Sequence, residues 1–162
     1  MRESRKTGHG VMKDQHDRQP SGEPAQQVAA LCWRASPAPQ VLLVTSLSTR
    51  RWILPKGWPV AGLSLAQSAA HEAEEEAGIT GDIAPAPIGS YDYVKLRKDG
   101  GALPCRVSVF ALMARGQLDS YAEKGARELA WLPFHLAAGQ ISEPGLRPIL
   151  LDFHAALAAR SS

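Results

Sequence analysis

Short apolar runs typical of β-strands dominate the first third of the chain. Residues 28–33 and 41–45 are rich in Val, Leu and Ala, and the proline-containing segment 36–39 between them predicts a hairpin. Residues 52–54 predict a short strand that a proline ends. The stretch 56–63 that follows contains Gly and Pro and is typical of a loop.

A helix comes next, with recognisable signals at both of its ends. Ser64 with Gln67 three residues later matches a capping box, and Gly78 suits the C′ position. The remaining pattern predicts strands at 91–97 and 106–114 joined by a turn at 99–101, a last strand at 128–132, a short helix at 133–138 and an amphipathic helix at 146–160. Strands around a central helix, with another helix at the end, predict an α/β sandwich with a mixed β-sheet.

The N-terminal segment differs from the rest in composition. Residues 1–25 have only Val11 and Met12 as sizeable apolar groups, so we expect a disordered tail before one folded domain at 26–160. Five bases and three acids in residues 1–18 account for the net charge of +2. The rest of the chain is electrically balanced, which gives no electrostatic case for nucleic-acid binding.

The remaining composition limits the location and the partners. Cys32 and Cys105 have neither the spacing of a zinc site nor that of a disulfide framework. No apolar run reaches the roughly 18 residues that a membrane span requires, and the N-terminus lacks the apolar segment of a secretory signal. We therefore expect a cytoplasmic protein without a membrane partner.

The central helix carries four glutamates in an unusual setting. At about 100° per residue, Glu72 and Glu76 lie on one flank of an alanine stripe with Glu75 beside them, while Glu74 points elsewhere. The acids have no Lys or Arg at i±3 or i±4, and only His71 is placed to partner Glu75. The last turn is also where the helix dipole disfavours negative charge. A divalent cation held by carboxylate oxygens would resolve these conflicts, although a solvated acidic face is the alternative for the helix alone.

The segment 57–79 resembles the Nudix box, in which a glycine and a Glu precede Arg-Glu-apolar-any-Glu-Glu-any-Gly-apolar at fixed spacing. Here the spacing is kept in full, and the second part reads His-Glu-Ala-Glu-Glu-Glu-Ala-Gly-Ile. With Arg-Trp-Ile-Leu-Pro-Lys-Gly leading in, the chain looks most like the diphosphoinositol polyphosphate phosphohydrolase branch. Leu63 replaces the first Glu of the box and His71 replaces the Arg, which leaves the number of bound metals open.

The resemblance implies roles for the acids. Glu72 and Glu76 would ligate Mg²⁺ or Mn²⁺ with a backbone carbonyl near Lys56 or Gly57, and Glu75 would join them or act as the general base. His71 would orient Glu75, as the box Arg does in the family. A base in a distant loop is also possible in this family, and the candidates here are Glu123, Asp119 and Glu128.

A polyphosphate substrate needs cations opposite the metal. Strand alternation places Tyr91, Tyr93, Lys95 and Arg97 on one face, with Arg106 expected near them on the partner strand. The predicted substrate-binding residues are Arg50, Arg51, Lys56, Lys95, Arg97, Arg106 and Arg127, with Lys124 as a further base nearby. The four tryptophans Trp33, Trp52, Trp58 and Trp131 are alternative stacking platforms for a nucleobase, although packing is the commoner role. His135 and His154 are expected to be packing residues.

The resemblance implies Mg²⁺-dependent hydrolysis of a phosphoanhydride bond in a diphosphoinositol polyphosphate or a dinucleoside polyphosphate. A nucleoside diphosphate-X hydrolase is one alternative, favoured if the tryptophans line the pocket. A non-catalytic Nudix-fold module that binds ligand is the other, because Leu63 and His71 depart from the box. The expected partner is a small anionic molecule, and the expected assembly is a monomer or weak homodimer.

Overall fold

The computed structural model describes residues 23–160. The predicted N-terminal tail therefore lies almost entirely outside the described residues. The elements are β1 (Ala25–Arg34), β2 (Gln40–Thr45), β3 (Trp52–Ile53), β4 (Lys56–Gly57), α1 (Leu65–Ala77), β5 (Ile79–Ile83), β6 (Gly89–Leu96), β7 (Ala102–Gln117), β8 (Leu129–Pro133), α2 (Phe134–Gln140) and α3 (Leu146–Arg160).

All eight strands belong to one mixed sheet. The central path runs β3-β2-β1-β7-β5, while β4 pairs with β1, β6 with β7 and β8 with β2. The β1–β7 pair is parallel and spans Ala25↔Cys105 to Trp33↔Met113. The other named pairs are antiparallel. The predicted hairpin between residues 28 and 45 is confirmed.

Each face of the sheet is covered by helices, and the two layers differ in side-chain size. On one face α1 packs its alanines against residues such as Val28 and Phe110. On the other face α2 and α3 pack larger side chains, including Phe134 and Leu150, against the sheet. The predicted α/β sandwich with a mixed sheet is confirmed.

Two strands were not predicted. The segment predicted as a loop from residue 56 begins with β4, which pairs antiparallel with β1 through Ala29↔Lys56. β5 contains Gly81 and is irregular between Thr80 and Gly81, and glycine weakens a strand signal in the sequence. A Cβ on Gly81 would overlap the Met113 carbonyl region of β7. Pairing with β7 therefore overrides the local preference.

The predicted C-terminal helix at 146–160 has the bounds of α3. Within residues 23–160, none of the helices is long and apolar enough to cross a bilayer. The cytoplasmic location stays a prediction.

Candidate active site

Helix α1 begins and ends as its sequence signals predict. The Ser64 hydroxyl accepts from the Gln67 backbone N–H at 3.0 Å, and the Gln67 side-chain oxygen accepts from the Ser64 N–H at 2.8 Å. Gly78 at the other end has φ 68° in the left-handed region, a conformation that glycine adopts without a Cβ penalty. These signals define where the helix begins and ends.

The alanine stripe of α1 sets the direction of its acids. The stripe is buried against the sheet at Ala66, Ala69, Ala73 and Ala77. Glu72 and Glu76, on its flank, are also buried, Glu75 is half-buried and Glu74 is exposed. The predicted helical phase is therefore confirmed, and it separates Glu74 from the other three acids.

Gly57 of β4 leaves the space that Glu72 occupies. A Cβ at this position would lie 2.5 Å from the carboxyl carbon of Glu72 and from one of its oxygens. Real Cβ contacts are not that short, so a side chain here would displace the carboxylate. The glycine that opens the box motif thus brings the β4 backbone against the acid cluster.

The Glu76 carboxylate contacts a backbone N–H and a cation from a segment far away in the sequence. Its Oε1 accepts from the Lys56 backbone N–H at 3.3 Å, and its Oε2 lies 3.3 Å from Arg127 Nη2. Burial raises the pKa of the Glu76 carboxyl, while the charge of Arg127 opposes the rise. Burial, followed by the neighbouring Glu76, raises the pKa of Glu72. Both carboxylates are thus destabilised by their surroundings in the absence of a further cation.

His71 and Glu75 lie beside Glu72, and both are half-buried. His71 Nε2 is 3.7 Å from Glu75 Oε2, as expected for the i,i+4 pair. One ligand atom each from His71, Glu72 and Glu75 lie within 4.8 Å of one another. Of the described residues' buried polar atoms, His71 Nδ1 is one that lacks a hydrogen-bond partner. The clustered carboxylates, the Gly57 cradle and a histidine nitrogen together fit a divalent cation.

The loop between β7 and β8 contributes a further acid and a cation beside the glutamates of α1. Arg127, in the segment between β7 and β8, donates to Glu123 Oε1 at 2.7 Å and to the Thr45 carbonyl at 2.9 Å. The Glu123 backbone N–H donates to the Glu75 carbonyl at 2.9 Å. The acids have no Lys or Arg partner within α1, as the sequence indicated, but Arg127 of this loop supplies a positive charge beside Glu76.

The acid cluster opens into a pocket of about 370 Å³. One wall holds Lys56, whose Nζ lies 4.8 Å from the centre of the Tyr93 ring. The Tyr93 hydroxyl donates to Gln27 Oε1 at 2.7 Å. Burial lowers the pKa of the Lys56 ammonium, and the charge of Glu76 opposes that change. The lining comprises Gln27, Ser46, Leu47, Ser48, Ile53, Lys56, Gly57, Trp58, Glu72, Glu75, Glu76, Tyr93, Lys95, Glu123 and Arg127.

The predicted substrate-binding cations divide into two groups. Lys56, Lys95 and Arg127 line the pocket, whereas Arg50, Arg51, Arg97 and Arg106 are not part of its lining. Arg50 pairs with Glu128 at 3.5 Å. Arg106 was expected near Tyr93, but it lies opposite Asp92 in the strand register and pairs with that acid at 2.8 Å. Since neighbouring strand residues point to opposite faces, Arg106 is on the other side of the sheet from Tyr93.

The three alternative candidates for the general base differ in their position relative to the pocket. Glu123 lines the pocket, whereas Glu128 is exposed and paired with Arg50. Asp119 is exposed outside the pocket lining, and its carbonyl accepts from Lys124 Nζ. Glu123 is therefore the loop acid that the fold brings to the site.

Of the four tryptophans, Trp58 alone is in the described pocket lining, and it is 8% exposed. Trp33 packs edge-on against Phe153. The Arg34 guanidinium carbon lies 4.3 Å from the centre of the Trp131 ring, and both residues line a separate depression of the surface. No exposed indole platform thus faces the acid cluster in the described part of the chain.

The two remaining histidines differ from each other. His154 stacks on Phe134 with ring centres 5.0 Å apart, as expected of a packing residue. His135 is exposed, so its predicted packing role is wrong. The residue projects from α2 on the side away from the buried Phe134 and Ala137.

Sequence reasoning missed several lining residues. Gln27 is 3% exposed in β1, but it lies just outside the apolar run 28–33 from which that strand was predicted, so it gave no sequence signal. Ser46, Leu47 and Ser48 come from the loop between β2 and β3. Their path across the pocket has no sequence pattern that would have found it.

Comparison with known proteins identifies relatives along most of the chain. The protein-family model for the NUDIX domain matches residues 25–153. "Nudix hydrolase 16, mitochondrial" of Arabidopsis thaliana is 27% identical over 116 residues, which are 70% of this chain and 64% of that protein. "Nudix hydrolase 12, mitochondrial" of the same plant is 30% identical over 99 residues, 57% and 47% of the two chains. The match thus spans roughly half to two thirds of these relatives.

Solved structures share the fold at low identity. A C. elegans Ap4A hydrolase superposes with a TM-score of 0.61 at 21% identity, covering 83% of this chain and 98% of that one. A NUDIX hydrolase from Nitrosomonas europaea gives 0.63 at 18% identity, covering 83% and 90%. The NUDIX domain of Shewanella oneidensis NrtR, complexed with ADP ribose, gives 0.60 at 15% identity, covering 85% and 89%.

Proposed function

Because this chain belongs to the Nudix family, we propose that it is a pyrophosphohydrolase that cleaves a phosphoanhydride bond with the help of Mg²⁺ or Mn²⁺. The observation that carries the proposal is the convergence of Glu72, Glu75 and Glu76 on one pocket that also holds cationic side chains. Anionic ligands for a metal and cations for phosphates are both required by this chemistry.

We assign different roles to the three acids because they differ in burial. Glu72 and Glu76 are buried and are the proposed metal ligands, together with the Lys56 carbonyl. Glu75 is half-buried beside them, at 26% side-chain exposure, and so is best placed to reach a water molecule. A bound divalent cation would neutralise the pyrophosphate and lower the pKa of an attacking water. His71 orients Glu75 from the preceding turn.

The pocket favours a substrate with several phosphates. Lys56 and Lys95 line the wall beside Tyr93, where their charges would face phosphates bound at the acid cluster. The Trp58 ring is buried and offers little surface for stacking a base. We therefore propose that the substrate is a small anionic molecule, either a diphosphoinositol polyphosphate or a dinucleoside polyphosphate. We also propose that the protein acts as a monomer or weak homodimer. The fold shared with a protein named Ap4A hydrolase is compatible with the second class.

One alternative role rests on the departures from the box. Leu63, in the loop just before α1, is 40% exposed and has no side-chain oxygen, and His71 replaces an arginine. A module that binds its ligand without turnover would tolerate both changes.

A substrate panel tests the proposal. The purified protein is incubated with Ap4A, ADP-ribose, an inositol pyrophosphate or 8-oxo-dGTP, in Mg²⁺, Mn²⁺ or EDTA, and phosphate-containing products are quantified. We expect metal-dependent cleavage of Ap4A or the inositol pyrophosphate, and much slower cleavage by Glu75→Gln. Preference for ADP-ribose would support the nucleoside diphosphate-X alternative. Binding without product in every metal would support the module and refute the hydrolase.

A further inference from the structure

Arg127 is unusual among the pocket cations because all three of its guanidinium nitrogens face acceptors of the protein. Nε donates to Glu123 Oε1 at 2.7 Å, Nη1 to the Thr45 carbonyl at 2.9 Å, and Nη2 lies 3.3 Å from Glu76 Oε2. The side chain is 8% exposed. Although Arg127 lines the pocket, each of the three nitrogens of its planar fork is therefore already engaged by a protein acceptor.

We propose that Arg127 is a positioning residue that holds Glu76 in place for the metal, and that it does not bind substrate. The inference rests on the proposed function for the role of Glu76. It reassigns a side chain that its charge and position in the sequence had suggested for phosphate binding.

The loop that carries Arg127 is fastened to the same end of α1 by its backbone. The Glu123 N–H donates to the Glu75 carbonyl at 2.9 Å, and the Leu118 N–H donates to the Gly78 carbonyl at 2.8 Å. These bonds fix the loop to the turn that bears Glu75 and Glu76. The guanidinium is thus anchored independently of the carboxylate it holds, which is the condition for one group to position another.

The charge arrangement explains why an arginine is needed. Glu76 is buried and has no cation within its own helix. Arginine presents several donors in a rigid plane, whereas lysine offers a single charged centre. Only a fork can reach Glu76, Glu123 and the Thr45 carbonyl simultaneously, so a lysine would keep the charge and lose the geometry.

Two substitutions of Arg127 and one control test the inference. Mn²⁺ binding is measured by electron paramagnetic resonance on the substrate-free protein, and kcat and KM are measured with the best substrate of the panel. Loss of a group that orients a metal ligand typically costs about 10–100-fold in metal affinity or activity. We expect Arg127→Met to lose Mn²⁺ affinity and kcat on that scale with KM unchanged, and Arg127→Lys to lose less of both.

Lys95→Met is the matched control, since Lys95 is another cation that lines the same pocket. We expect it to raise KM while Mn²⁺ affinity stays at the wild-type value. If Arg127→Met behaves in the same way, Arg127 binds substrate and the inference is refuted. Circular dichroism shows whether Arg127→Met is folded; if it is not, wild-type Mn²⁺ affinity and kcat in Arg127→Lys would refute the inference.

The two proposals fail in different ways. A wild-type protein that cleaves no compound of the panel refutes the hydrolase, while the Mn²⁺ measurements on the Arg127 variants still decide the positioning role. A hydrolase whose Mn²⁺ affinity is insensitive to both Arg127 substitutions refutes the positioning role alone.

Discussion

The two ends of α1 are built on different principles. At the N-terminal end, Ser64 and Gln67 satisfy each other's backbone donors within a single turn. At the C-terminal end, Glu74, Glu75 and Glu76 occupy the last turn, which has no basic residue. The first arrangement stabilises an isolated helix, whereas the second opposes its dipole.

The difference shows where the helix depends on the rest of the protein. The C-terminal end is stabilised by the loop between β7 and β8, through Arg127 and the backbone contact of Glu123 with α1. Substitutions at the N-terminal end should therefore change stability and leave chemistry intact. Substitutions of the acids should do the reverse.

The largest expected effect is at Glu75. Glu75→Gln keeps the size of the side chain and removes its charge, so turnover should fall by about 10²–10⁴-fold if Glu75 is the general base. The thermal unfolding midpoint should stay close to that of the wild type. Initial rates and differential scanning fluorimetry measure the two quantities. Near-normal turnover would move the base to another residue, with Glu123 as the next candidate.

Gly57→Ala should come next, because it acts on the position of Glu72. The added methyl group would lie 2.5 Å from the Glu72 carboxyl unless that group moves. A misplacement of about 1 Å in a catalytic site can cost on the order of 10²-fold in rate. We expect a folded protein with greatly reduced kcat. Gly139→Ala, at an open position in α2, is the control and should keep wild-type activity.

Ser64→Ala tests the other end of the helix. Loss of the cap should lower the free energy of unfolding by about 1 kcal/mol, as measured by urea denaturation. Metal-dependent turnover of the folded protein should be unaffected, since the cap is remote from the acids. A large loss of kcat in the folded variant would contradict the division between the two ends.

Glu74→Gln should have the smallest effect. The side chain is exposed and points away from the cluster, and exposed substitutions usually change stability by less than about 0.5 kcal/mol. Removing a negative charge from the last turn should be neutral or slightly stabilising. Activity measured beside Glu75→Gln provides the comparison, and a large loss would mean that Glu74 takes part in the chemistry.

Much of this site could be predicted from local sequence. The box spacing identified the family, and helical periodicity distinguished Glu74 from Glu72, Glu75 and Glu76. The capping box and Gly78 gave both ends of α1. Each of these features lies within residues 57–79, so a single segment contains the whole signal.

The rest depends on how distant segments meet. The face on which Arg106 lies is set by the register of β6 and β7, and a slip of one residue reverses it. The role of Arg127 depends on a loop docking on α1, for which the sequence carries no periodic pattern. β5 forms because β7 pairs with it, although its Gly81 weakens the local signal.

The long strand β7 has a consequence for how the chain reaches its native state. It pairs with β1 on one side and with β5 and β6 on the other, so Ala25 meets Cys105 only after a large loop has closed. Until β7 leaves the ribosome, β1 exposes an unpaired and strongly apolar edge. Such edges promote aggregation, so pairing with β7 is what protects β1.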